Sequence, residues 1–164
     1  MNLSAAQWSV LGGVFLGGAT PWLEAIVVIP GGILAGAPVT LVILAGVTGN
    51  LLTVGIAAWF GERIRGWWQR WREKRRARSG RAGDPEAEAK RARRRARIER
   101  VMSRWGMPGL AILGPIGLGT QVSAVVAVAA GVSAWTSFLW VGAGTVAWSL
   151  VAAVATVAGV SAFA

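Results

Sequence analysis

The chain of 164 residues contains no cysteine, no histidine and no tyrosine. Without Cys there is no disulfide, no thiolate nucleophile and no sulfur ligand for a metal. Without His there is no imidazole to serve as a base, and every catalytic triad that needs one is excluded. Charge is also scarce. Charged residues are 15% of the chain, against roughly 25% in a soluble domain. What is present is apolar or small: 54% hydrophobic residues, 23 Gly and 10 Trp.

A net charge of +10 spread over a surface would fit a small nucleic-acid binder. It is not spread. All 17 Lys and Arg fall between Arg63 and Arg104, and every acid but one falls in or beside that stretch. Residues 1–61 and 105–164 hold a single charged side chain, Glu24. Two apolar blocks that cannot wet their own surface, joined by a cationic segment, read as membrane–loop–membrane. The expected protein is an all-α integral membrane protein with three parts: 1–61, a first membrane half; 62–104, a basic helical loop; 105–164, a second membrane half. The positive-inside rule places the loop on the cytoplasmic side of the cell membrane. The start, Met1-Asn2-Leu3-Ser4, lacks the cationic region of a signal peptide.

Two stretches are long enough to span, 38–60 and 135–160. The pieces 22–30 and 106–114 are too short to cross a ~30 Å hydrocarbon core at about 1.5 Å per residue. A short apolar helix that ends in Pro and Gly predicts a re-entrant hairpin in each half. The tips are expected at Pro30-Gly31-Gly32 and at Gly114-Pro115 with Gly117. Paired interruptions at matching places in two halves point to inverted repeats and to a transporter's binding site. Ordinary transmembrane helices kinked by Pro are the alternative. Gly13–Gly17 and Gly32–Gly36 have the spacing that lets helices approach closely, within one chain or between copies in a homo-oligomer. Trp8, Trp22, Trp59, Trp105, Trp135 and Trp140 sit near segment ends, as interfacial anchors do.

In the loop, 61–78 carries Trp67, Trp68 and Trp71 among cations and could lie on the inner leaflet. Asp84-Pro85-Glu86 starts a second helix: a capping Asp, Pro at the first position and an acid in the first turn. Attraction to anionic inner-leaflet lipids is expected, with Arg63, Arg65 and Arg104 at the edges of the apolar blocks contacting headgroups. Beyond charge there is no nucleic-acid motif.

Glu24 is the candidate for chemistry. A lone carboxylate in a bilayer is costly, and such a group is commonly protonated, paired or wet. Proton-coupled carriers use one to take up and release the coupling ion. The alternative is a first-turn Glu near the interface, behind a Thr20-Pro21 cap. Its expected polar partners are Asn50, Thr53, Thr120, Gln121 and Ser123. No nucleophile–base pair accompanies Glu24, so neither enzyme activity nor a cofactor or metal is expected.

Glu24-Ala-Ile-Val-Val-Ile-Pro30, Gly49-Asn50-Leu51-Leu52, the basic loop, and Gly114-Pro115 with Gly119-Thr120 together resemble the small multi-drug export protein family. The family's Glu six residues before a Pro, and its Gly-Asn in the next helix, are both present. Ile26 stands where the family often has Arg. The layout also resembles the wider DedA/VTT group, whose second hairpin carries Arg on either side of the Pro; here Ile112 and Leu118 stand there. The first resemblance implies a secondary, proton-linked exporter of drugs or other small molecules, using Glu24, Asn50, Thr120 and Gln121. The second implies a flippase or scramblase for a polyprenyl-phosphate or phospholipid. A membrane scaffold that transports nothing is a third reading.

Overall fold

The computed structural model describes residues 3–78, 89, 92, 93, 96 and 106–163, and the described residues form helices and no strand. They are α1 (Ala5–Ala19), α2 (Glu24–Leu34), α3 (Val39–Arg78), α4 (Met107–Gly117), α5 (Thr120–Ala129) and α6 (Ala134–Phe163). The lengths fall into two classes. With 40 and 30 residues, α3 and α6 reach about 60 and 45 Å. These two are long and apolar enough to cross a membrane, and they cover the two spans expected from sequence, the first from Val39 onward. The other four have 15, 11, 11 and 10 residues. At about 15–23 Å each, they are shorter than a ~30 Å hydrocarbon core.

The long helices run antiparallel, since Asn50 meets Thr145 and Glu62 meets Ala134. Each half lays a hairpin of short helices along this pair. In the first, α1 and α2 follow the early part of α3. Gln7 donates to the Gly36 carbonyl, Val14 and Val42 flank Gly32, and Ile29 packs beside Gly46. In the second, α4 and α5 follow the later part: Gln121 donates to Thr53 at 3.0 Å, and Arg65 donates to the Val128 carbonyl at 2.8 Å. The hairpins thus enter from opposite ends of the α3–α6 pair, and their turns meet halfway along it.

The burial pattern follows from that meeting. Leu11, Val14, Ala25, Ile29 and Val42 form one apolar cluster around the first hairpin. Val54, Ala58, Ala124, Val128 and Val141 form another around the second. Buried polar residues lie between them. On α6 the buried positions Ser137, Val141, Thr145, Ser149 and Ala153 recur every fourth residue, one face of a helix. Two glycines set how deep the hairpins seat. A Cβ on Gly49 would run into the Phe15 carbonyl of α1, and one on Gly144 into the Ala111 carbonyl of α4. Only a residue without a side chain permits such backbone contact. Each is followed by a polar residue of the centre, Asn50 or Thr145.

Several expectations are corrected. Pro30, Gly31 and Gly32 lie inside α2, and Gly114, Pro115 and Gly117 lie inside α4. The first turn falls instead at 20–23, while the second, at 118–119, follows directly on Gly117, the last residue of α4. A proline removes one helical N–H, and in apolar surroundings neighbouring helices accommodate that loss, so it need not end the helix. What reverses the chain is left-handed backbone: φ is 79° at Trp22 and 87° at Gly119. Trp22, expected at an interface, therefore sits in a hairpin turn. Residues 61–78 continue α3 without a break, so the apolar span and the start of the basic segment share one helix. Of the two GxxxG pairs, only one member of each packs closely: Gly17 against Val28 and Gly32 against Val14 and Val42. Trp105, Arg104 and the helix start at Asp84-Pro85-Glu86 lie outside the described residues.

Candidate functional site

The two turns bring together residues far apart in sequence. Glu24 opens α2 and Thr120 opens α5. The backbone N–H of Thr120 donates to Glu24 Oε1. That amide is one of the first in α5, which has no intrahelical acceptor of its own for it. The N-terminal end of a helix also favours negative charge. Glu24 is thus held at the start of two helices, its own and α5, while being only 4% exposed. Its other oxygen, Oε2, is buried and has no hydrogen-bond partner among the described residues.

Asn50 of α3 ties the turns together. It is fully buried. Its Nδ2 donates to the Gly18 carbonyl near the end of α1 at 3.2 Å and to Thr120 Oγ1 at 3.0 Å. The Thr120 hydroxyl lies 3.1 Å from both Asn50 Oδ1 and Gln121 Oε1, and has one proton to donate between them. Thr145 Oγ1 of α6 is 3.3 Å from Asn50 Oδ1. Gln121 Nε2 donates to Thr53 Oγ1, whose hydroxyl returns to the Asn50 carbonyl at 3.0 Å. Each neutral member of this network can switch between donating and accepting. The network therefore has room to rearrange around a change in the carboxyl group.

Of the residues singled out from sequence, Glu24, Asn50, Thr53, Thr120 and Gln121 come together here. Ser123 stays apart, donating to Gly119 within its own helix at 2.8 Å. The glycines and prolines expected at the tips fall within the helical arms α2 and α4. Thr20 does not cap α2; its hydroxyl donates to Leu16 at 2.8 Å. Arg65, expected at a lipid headgroup, instead bonds to Val128 and pairs with Glu62 at 3.6 Å, while Glu62 accepts from the Ala134 N–H at 3.3 Å. That pair fastens α3 to the α5–α6 connection, one side chain at a helix C-terminus and the other at a helix N-terminus. Two residues escaped the sequence reading, Thr145 and Ser149. Their signal was present: polar side chains four apart in a span with no charge. Ser149 is fully buried and its Oγ has no hydrogen-bond partner among the described residues. It lies between Thr145, which faces Asn50, and Ala153, which packs in the cluster with Ala25.

The backbone is strained where the carboxylate sits. Both Trp22 and Glu24 have positive φ, 79° and 43°, in the left-handed region that side-chain-bearing residues seldom adopt. Such residues cost roughly 1–3 kcal/mol each and cluster at functional sites.

Long apolar helices, short hairpins and a buried polar centre with one carboxylate define a helical membrane protein. The family model described as "Putative small multi-drug export protein" matches residues 24–151, from the carboxylate to the far part of α6. The chain belongs to that family. No curated protein and no solved structure gives a match.

Proposed function

We propose that the protein is a small multi-pass exporter of secondary, proton-linked type, with Glu24 as the group that exchanges the proton. The observation that carries this reading is the Glu24–Thr120 contact. The only carboxylate of the apolar halves joins the two hairpin turns, and its second oxygen has no partner among the described residues. In the membrane the hairpins are re-entrant, one from each side, and the two halves are inverted repeats. The short helix lengths, the opposed entry of the hairpins and the matched pairs Glu24–Thr120 and Asn50–Thr145, separated by 96 and 95 residues, support this. Residues 62–104 face the cytoplasm by their charge. When Glu24 is charged, it holds the α5 amide and keeps the turns together. When it gains a proton, that bond weakens, the strained turn relaxes and the halves part to one side. No enzymatic step is assigned.

The lipid-flippase reading is less well supported, because among the described residues no cation lines the meeting turns, and Ile112 and Leu118 are exposed and apolar. The test is reconstitution into vesicles with an imposed pH gradient and a panel of fluorescent drug-like dyes. Dye-driven proton flux that disappears in Glu24→Gln is the expected result. Movement of labelled lipid with no dye-coupled proton flux would overturn the exporter in favour of the flippase; neither activity would favour a scaffold.

A further inference from the structure

The stretch of α3 just past its apolar part carries a groove of about 610 Å³, lined by Ile56, Trp59, Phe60, Glu62, Arg63, Gly66 and Arg70. All seven residues belong to α3, so this is an open groove along one helix face and not an enclosed pocket. The lining has two ends. Ile56, Trp59 and Phe60 are apolar and exposed. Arg63 and Arg70 stand beyond them, seven residues apart and so on one helix face. Gly66 lies between them and forms the floor. The nearest atom to a Cβ placed there is Arg70 Nη2 at 4.0 Å, so the Arg70 guanidinium folds back over Gly66 toward Arg63. Glu62 does not neutralise them, because its carboxylate is turned to Ala134 N–H and to Arg65.

We propose that this groove binds an anionic phospholipid, its phosphate held between Arg63 and Arg70 and an acyl chain lying over Ile56 and Phe60. Guanidinium groups match phosphate oxygens with paired hydrogen bonds, which a diffuse cationic surface does not provide. The apolar run of α3 ends just below Arg63, which places that guanidinium at headgroup depth, and Arg70, two turns further on, folds back toward it over Gly66. Gly66 leaves space for the phosphate to approach the helix. The site is separate from the Glu24 centre, and its failure and that of the exporter reading are read independently.

The test uses the full chain in detergent micelles, titrated with phosphatidylglycerol or phosphatidylcholine and followed by thermal shift and native mass spectrometry. Phosphatidylglycerol is expected to bind and raise Tm. Arg63→Gln with Arg70→Gln should weaken its binding about tenfold. Arg72→Gln with Lys74→Gln removes the same charge outside the groove and should change binding less than about threefold. Should the first pair fail to fold, Gly66→Leu fills the floor without changing charge and should also weaken binding about tenfold. Equal loss in both pairs, no preference over phosphatidylcholine, unaltered binding in Gly66→Leu, or full competition by millimolar inorganic phosphate would each overturn the proposal.

Discussion

Glu24 and Thr120 hold corresponding places in the two halves, each the first residue of a hairpin's second arm, and they bind each other across 96 residues of sequence. The bond is to a backbone N–H, so no substitution of Thr120 other than proline removes it directly. Its strength is governed by the charge on Glu24 and by the geometry of the turns.

Glu24→Gln keeps the shape and one acceptor oxygen but cannot exchange a proton. We expect folded, membrane-inserted protein with coupled flux lost. Vesicle flux measured beside the Tm of the purified protein checks this. Unchanged flux would remove Glu24 from the mechanism.

Gly119→Ala strikes the same contact from the other side. Gly119 has φ of 87°, and a Cβ there would lie 3.2 Å from Glu24 Oε1. With ψ of 146°, this backbone is essentially confined to glycine and costs a residue with a side chain roughly 1–3 kcal/mol. Flux should fall sharply and Tm modestly. The nearby Gly117→Ala, where nothing stands within 4 Å of a Cβ, should leave both nearly unchanged.

Gly49→Ala and Gly144→Ala test how the hairpins seat. In each, a methyl group meets a backbone carbonyl that cannot turn away. Overpacking of this kind costs about 1–3 kcal/mol. Similar Tm losses in the two variants are expected, since the same contact recurs in each half; a loss in only one would argue against equivalent packing.

Ser149→Ala removes a buried hydroxyl that has no partner among the described residues, so stability should stay level or rise slightly. Ser137→Ala is the contrast. Its hydroxyl donates to the Ala124 carbonyl at 3.1 Å, and losing that bond should cost about 1 kcal/mol. Urea or thermal unfolding of the pair checks the order. A Tm lower in Ser149→Ala than in Ser137→Ala would contradict it.

Arg65→Ala should destabilise more than Arg63→Ala. Arg65 donates to the Val128 carbonyl and pairs with Glu62, holding the α5–α6 connection to α3. Hydrogen bonds from charged groups contribute roughly 1.5–3 kcal/mol. Amide exchange of residues 128–134 should rise in Arg65→Ala alone.

The composition of the centre was legible in the sequence, and its address was not. Glu24, Asn50, Thr53, Thr120 and Gln121 stand out because polar side chains are rare in apolar blocks and need partners there. The first hairpin turn was misplaced because Pro30 looks like a helix end, whereas the second follows directly on Gly117, at the edge of the expected tip. Pro30 does not end α2, since packing against neighbouring helices outweighs the lost backbone bond. The turn at 20–23 was hidden because Trp22 and Glu24 adopt left-handed backbone that no local preference predicts. Thr145 and Ser149 were passed over because a small polar residue in a long apolar helix resembles one that satisfies itself against its own carbonyls.

The sequence by itself determined that this is a helical membrane protein with two uncharged halves, one carboxylate among them and a cationic segment between. Hydropathy and charge are properties of each residue, and a bilayer sorts residues by them wherever the chain goes. Only the tertiary structure decided that Glu24 faces Thr120, that Arg65 serves the fold while Arg63 and Arg70 share a groove, and that the hairpins meet halfway along α3 and α6. Those facts depend on backbone approach at Gly49 and Gly144 and on turns held against local preference. Such contacts exist only once both halves are packed.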